Sequence, residues 1–157
     1  MSDFYQLKCS LISGEMMEMI TLKNKCVAII NTASACGLSF RLKQLQLLHQ
    51  LVEPQEWVIL AMPFNAFSEQ EPLEHHDLCE WFKGYAKSLI ITQKEQELSH
   101  NPVMKWILKE ASWWSKPRWN YYVYWINGRG QMVDWWGPWR SFCSTKSQRE
   151  LAKILTK

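Results

Sequence analysis

The sequence predicts an α/β domain built on a central mixed sheet, and three observations carry that expectation. A β-prone apolar run, Cys26 to Ile30, is followed by a segment that spaces Leu42, Leu45, Leu48 and Val52 by three and four residues, and then by a second apolar run, Trp57 to Met62. That strand, helix, strand order is a crossover unit, whose expected solution is a parallel pair with a right-handed connection. Further on, Asn127-Gly128 separates two aromatic, β-prone runs, the signal of an antiparallel hairpin. Finally, 157 residues can bury a core of ordinary size without covalent staples.

In chain order, Phe4 to Leu11 and Met17 to Leu22 flank Ser13-Gly14-Glu15 and predict a short hairpin over one end of the domain. The central strand runs from Cys26 to Asn31. After it, Asn31-Thr32-Ala33-Ser34-Ala35-Cys36-Gly37 forms a tight loop, and a helix from about Leu38 to Val52 ends at Glu53-Pro54-Gln55-Glu56. Pro63 closes the strand that begins at Trp57. A loop from Phe64 to Pro72 leads to a helix over Leu73 to Ala86, with Leu78, Trp81, Phe82 and Tyr85 on one side. Leu89 to Thr92 is a short strand and Gln93 to His100 a polar connection. Asn101-Pro102 opens a helix through about Glu110. Trp119 to Ile126 and Gln131 to Trp136 are the hairpin strands, and Ser147 to Leu155 is a final helix. No repeat or linker divides the chain, so one domain over residues 1–157 is expected. The order β-α-β, α, hairpin, α is that of a thioredoxin-like fold with a helix inserted after the second core strand.

Composition excludes several function classes. Five cysteines, an odd set without a C-x-x-C pair, suggest neither a disulfide scaffold nor a zinc ribbon. Reduced thiols in the cytoplasm fit better. The Met1–Lys8 segment lacks a signal-peptide pattern, and no apolar run approaches the ~20 residues that span a bilayer. A formal charge of +3, from 18 basic and 15 acidic residues scattered along the chain, does not suggest nucleic acid. The ten tryptophans, seven of them between Trp113 and Trp139, fit an aromatic sheet and core better than a binding surface.

Cys36 is the first candidate for chemistry. At the start of a helix its sulfur would face unpaired backbone N–H groups, which favour the thiolate over the thiol. His75-His76 with Glu74, Asp77 and Cys79 is the one metal-like cluster, but adjacent helical histidines point about a hundred degrees apart. No metal is expected there.

Four motifs now stand in one order. Asn31-Thr32-Ala33-Ser34-Ala35-Cys36-Gly37 resembles the N-V-A-S-x-C-G segment of the glutathione peroxidase family, in which the sixth residue is cysteine or selenocysteine. Met62-Pro63-Phe64-Asn65-Ala66-Phe67-Ser68-Glu69-Gln70-Glu71-Pro72 resembles its F-P-C-N-Q-F-G-x-Q-E-P. Ser99 to Trp106 is similar to A-H-P-L-x-x-x-L with one residue added, and Arg118-Trp119-Asn120-Tyr121 to K-W-N-F. The resemblance implies a cysteine-dependent thiol peroxidase whose catalytic residues are Cys36, Gln70, Trp119 and Asn120, with no metal or organic cofactor. Its substrates would be hydrogen peroxide and organic or lipid hydroperoxides, and its reductant thioredoxin or glutathione. The short segments around Leu89–Pro102 and Glu110–Trp119 resemble the monomeric branch, so a monomer is expected. Phe82 falls where the thioredoxin-dependent branch has its resolving cysteine, and Cys79, one turn away, is the candidate replacement. Lys8, Lys43, Lys116 and Arg118 are candidates to meet the carboxylates of glutathione. Phe64, Ala66 and Ser68-Glu69 depart from the pattern and motivate an alternative, a peroxide sensor or a degenerate family member acting as a redox relay or binding protein without sustained turnover.

Overall fold

A computed structural model describes residues 1–85 and 87–157. A five-stranded mixed sheet in the order β5-β4-β3-β6-β7 forms its centre. Its strands are β3 (Cys26–Thr32), β4 (Trp57–Pro63), β5 (Leu89–Ile91), β6 (Val123–Ile126) and β7 (Met132–Trp136). β3, β4 and β5 are parallel, whereas β6 runs antiparallel to both β3 and β7. All seven β3 residues are buried, as expected of a central strand covered on both faces. A smaller antiparallel pair, β1 (Lys8–Ser10) with β2 (Met16–Glu18), forms a second sheet tied to the β5 edge of the first, where the Gln93 N–H bonds the Ser10 carbonyl and the Ile12 N–H bonds the Ile91 carbonyl.

Alternate residues of β3 feed two apolar layers. Ala28 and Ile30 face a layer that takes in Leu42, Leu45 and Leu48 of α1 (Phe40–Leu51), Leu78 and Phe82 of α2 (His75–Phe82), and Leu151 and Ile154 of α4 (Thr145–Leu155). Val27 and Ile29 face Val103, Met104 and Ile107 of α3 (Pro102–Glu110), together with Phe4, Met19 and Leu22 of the N-terminal segment. α3 starts where Asn101 accepts bonds from the Val103 and Met104 N–H groups, with Pro102 in its first turn. Ser144 caps α4 through the Ser147 N–H, and this cap draws the helix start to Thr145, ahead of the expected Ser147.

Several boundaries differ from those expected. The expected Trp119–Ile126 strand begins only at Val123, because Tyr121 holds a left-handed backbone with φ of 68° and breaks the ladder before it. The helix expected over Leu73–Ala86 spans His75–Phe82, followed by a turn in which the Gly84 and Tyr85 N–H groups bond to Trp81 and Phe82 carbonyls. Ala86 lies outside the described residues. The N-terminal strands are shorter than expected, since Asp3–Gln6 and Met19–Leu22 are single 3-10 turns. In the β6–β7 connection the left-handed residue is Gly130, at φ of 76°. Gly128 is closely approached instead: a Cβ there would lie 3.1 Å from the Asn24 backbone, which would have to give by a few tenths of an ångström.

Two buried thiols give this core a pH signature. Burial pushes the Cys26 thiol up to about 12 and the Cys9 thiol up to about 11, from an ordinary value of 9.0. The Tyr5, Tyr121 and Tyr124 hydroxyls are raised by the same cause. An acid whose folded pKa is raised keeps its proton in the fold after the unfolded chain has released it. Stability is therefore full below pH 9.0 and falls as pH climbs through 11 and 12. Urea midpoints are expected to be level from about pH 7 to 8 and lower by pH 10, and Cys26→Ala should flatten part of that fall.

Candidate active site

The topology brings three loops to one end of the sheet. β3 and β4 are parallel, so both finish there, and β6 is antiparallel to β3, so it starts there. Cys36 lies in the loop after β3, Gln70 in the loop after β4, and Trp119-Asn120 in the segment before β6. In open parallel sheets, ligands bind at the carboxyl ends of strands.

The Cys36 loop is held at three successive residues. The Tyr121 hydroxyl donates to the Ala33 carbonyl at 2.7 Å and accepts from the Ala33 N–H at 3.3 Å. Glu71 accepts from the Ser34 N–H at 2.8 Å and from the Ser34 hydroxyl at 2.6 Å. The Ala35 N–H donates to the Gln70 carbonyl at 2.9 Å. Cys36 itself is 5% exposed, between exposed Ala35 and Gly37, and the Leu38 N–H approaches its sulfur at 3.5 Å. The expected placement at a helix start is corrected: α1 begins at Phe40, and turns closed by Ser39 N–H to Cys36 O and Arg41 N–H to Leu38 O intervene. One backbone N–H, rather than a full first turn, reaches the sulfur.

Gln70 and Asn120 are paired, the Asn120 amide donating to Gln70 Oε1 at 3.0 Å. Asn120 is wholly buried, and its Oδ1 has no partner among the described residues. Trp119 is half-buried, its ring tilted against Phe67 with centroids 6.1 Å apart. Asn31, at the end of β3, fixes this segment from beneath. Its side-chain amide donates to the Trp119 carbonyl at 2.9 Å, and its Oδ1 accepts from the Tyr122 N–H at 2.9 Å.

Cys79 stands apart from these bonds. It is half-exposed on α2, with its sulfur 3.7 Å from Nε2 of His75, while Phe82 on the same helix is packed in the buried cluster that contains Cys36. All five cysteines are free. Three of the candidate carboxylate partners are engaged elsewhere: Lys8 pairs with Glu18 at 2.5 Å, Lys43 bonds the Gly84 carbonyl and covers the Tyr85 ring, and Arg118 covers Trp113. Asn31, Glu71 and Tyr121 were not singled out by sequence. For Asn31 and Glu71 the available signal was a polar residue at the end of an apolar run or beside a candidate, which asks for a buried partner.

Two departures from the family pattern have structural consequences. Phe64 is buried in the layer against α3, where its ring fills core space. Ser68 and Glu69 hold φ of 51° and 50° in the turn closed by the Gln70 N–H and the Phe67 carbonyl. Left-handed backbone costs a non-glycine residue ~1 kcal/mol. Glu69→Gly is therefore expected to raise stability by about 0.5–1 kcal/mol, read as a higher melting temperature, because the turn already has the geometry glycine prefers.

The site is thus a thioredoxin-like fold with a thiol-bearing loop at the strand ends, bonded through the Ala35 N–H to Gln70, whose side chain pairs with Asn120. The sequence profile described as glutathione peroxidase matches residues 4–106. The chain is 27% identical over 139 residues to the glutathione peroxidase homolog BsaA of Halalkalibacterium halodurans, covering 85% of this chain and 88% of that one. It is 29% identical, over the same shares, to the glutathione peroxidase-like peroxiredoxin gpx1 of Schizosaccharomyces pombe. The crystal structure of T. cruzi GPX1 superposes with a TM-score of 0.74 at 18% identity, covering 99% of this chain and 97% of that one, and confirms the fold. The chain belongs to the glutathione peroxidase family and is a peroxidase-type oxidoreductase. Trp119 and Asn120 lie beyond the stretch matched by the family profile.

Proposed function

We propose that the chain reduces hydrogen peroxide and organic or lipid hydroperoxides at Cys36, with Gln70, Trp119 and Asn120 as its partners and thioredoxin or glutathione as the reductant. The observation that carries this reading is the Cys36 loop itself, tied down at Ala33, Ser34 and Ala35 by bonds from the elements that also carry Gln70 and Asn120. Such fixing of a nucleophile supplies rate by lowering the cost of orientation.

In the first step the Cys36 thiolate donates an electron pair to one peroxide oxygen. The O–O bond breaks, the other oxygen leaves as water or an alcohol by taking up the proton the thiol lost on ionising, and Cys36 becomes a sulfenic acid. The negative charge moves from sulfur to the leaving oxygen. The side-chain amides of Gln70 and Asn120 and the indole N–H of Trp119 are donors suited to that shift. A second thiol then attacks the sulfenic sulfur, releasing water and forming a disulfide that the reductant opens. The chemistry asks for no metal and no organic cofactor. Exposed Trp113 and Trp114, set edge to face with centroids 4.6 Å apart shortly before Trp119 in the chain, supply apolar surface for bulky hydroperoxides.

Cys79 is the proposed resolving thiol. A disulfide requires Cα atoms within ~7 Å, and because Cys79 is half-exposed at its contact with His75 while Phe82 occupies the buried layer, local unwinding of α2 is the proposed route by which Cys79 reaches Cys36. The test is peroxide turnover with thioredoxin and, separately, with glutathione, for the wild type and Cys79→Ser. Thioredoxin-driven turnover lost in Cys79→Ser, with a Cys36–Cys79 disulfide found by peptide mass spectrometry, establishes the two-cysteine route. Glutathione-driven turnover that survives Cys79→Ser assigns direct reduction by a small thiol. A single oxidation per protein with neither reductant overturns the enzymatic reading in favour of a sensor.

A further inference from the structure

We propose that Cys79, its neighbour His75 and the apolar cavity that Cys79 lines form a second reactive site, one that captures α,β-unsaturated aldehydes bearing an apolar tail. His75 and Cys79 are four residues apart on α2, and Nε2 of His75 lies 3.7 Å from the Cys79 sulfur, the arrangement of a nucleophile and its base. Cys79 forms part of the wall of a cavity of about 360 Å³, a size found among small-molecule sites. Ile12, Phe82, Tyr85, Leu89 and Ile91 make that cavity mostly apolar, and Lys83, whose ammonium pairs with Glu80, lies at its rim. A tail would bury against the apolar residues.

The chemistry is a conjugate addition. The Cys79 sulfur donates an electron pair to the β-carbon of the aldehyde and forms a C–S bond. The C=C π pair moves toward the carbonyl as an enolate. The thiol proton passes to Nε2 of His75, and the imidazolium returns a proton to the α-carbon. Nothing leaves and nothing is oxidised or reduced, so the step needs no further reactant. Such aldehydes are formed when lipid hydroperoxides fragment.

The other cysteines lack this combination. Cys9 and Cys26 are buried, and burial also raises their thiols, keeping them protonated, while the contact at the Cys36 sulfur is the Leu38 N–H rather than an imidazole. Cys143 is half-exposed like Cys79, but its sulfur contacts the Ser141 hydroxyl at 3.8 Å rather than an imidazole. It is the internal reference for an open thiol without a base.

The test exposes the reduced full-length protein to trans-2-nonenal or to acrolein, traps adducts with borohydride and locates them by peptide mass spectrometry. Cys79 is expected to react with nonenal about 10-fold faster than Cys143, and His75→Gln to slow Cys79 by about 10-fold, less than the ~10²–10⁴-fold of a full general base because the sulfur and Nε2 are 3.7 Å apart. The nonenal-to-acrolein rate ratio at Cys79, divided by that of N-acetylcysteine, should exceed one, because only the longer aldehyde has a tail to bury. Equal labelling of Cys79 and Cys143, an unchanged rate in His75→Gln, or a normalised ratio of one overturns the proposal. None of these readouts involves peroxide or Cys36, so they stand or fall apart from the peroxidase reading.

Discussion

Cys36→Ser is expected to lower peroxide turnover by at least about 10³-fold while leaving the fold intact, because a hydroxyl neither ionises nor attacks as a thiol does near neutral pH. The substitution replaces sulfur by a smaller oxygen at a site 5% exposed, where one N–H contact at 3.5 Å reaches the atom. The packing around it is supplied by neighbours, and the loop is held through Ala33, Ser34 and Ala35, none of which changes. Melting temperature should therefore shift little. Cys143→Ser, a half-exposed thiol outside the site, is the control and should keep wild-type turnover. Measured as kcat/KM for hydrogen peroxide with either reductant, equal values for wild type and Cys36→Ser would remove Cys36 from the chemistry.

The likeness of the motifs made the loop at Cys36 legible, and periodicity made the sheet legible. Both apolar runs became neighbouring parallel strands, and the helix through Leu42, Leu45 and Leu48 buries those residues against them. Misplaced boundaries share a cause: the backbone there answers to distant partners rather than local propensity. Trp119, Tyr121 and Tyr122 are strand-forming residues, yet Asn31 bonds the Trp119 carbonyl and the Tyr122 N–H, and Tyr121 turns to send its hydroxyl to Ala33. No local window contains both Asn31 and Tyr121, so a strand was the natural expectation. The tryptophans divide in the same way. Trp57, Trp125 and Trp136 are buried in the sheet layer, as expected, whereas Trp113, Trp114 and Trp139 are exposed at 65%, 72% and 72%. A ring suited to strands also suits a wet apolar surface, and sequence does not separate the two.

Glu71→Ala is expected to cost about 2–4 kcal/mol of stability and about 10²-fold in turnover, since it deletes the hold on the residue two before Cys36. Glu71 is wholly buried and accepts two short bonds from Ser34, at 2.8 and 2.6 Å, while its own N–H donates to Asn65 Oδ1 at 3.0 Å. Alanine leaves the Ser34 N–H without its acceptor and opens a space the size of the lost side chain. Gln is the informative comparison. Its carbonyl oxygen can still take the Ser34 N–H, and the Ser34 hydroxyl can rotate to accept from the new amide, so Glu71→Gln should keep most of the stability and most of the rate. A requirement for negative charge at Glu71 would instead show as equal losses in Gln and Ala. Because Tyr121, Glu71 and the Gln70 carbonyl act on consecutive residues of one loop, Tyr121→Phe and Glu71→Ala should combine non-additively in turnover. Additive losses in that double-mutant cycle would mean that the two contacts stabilise the fold independently and do not jointly place Cys36.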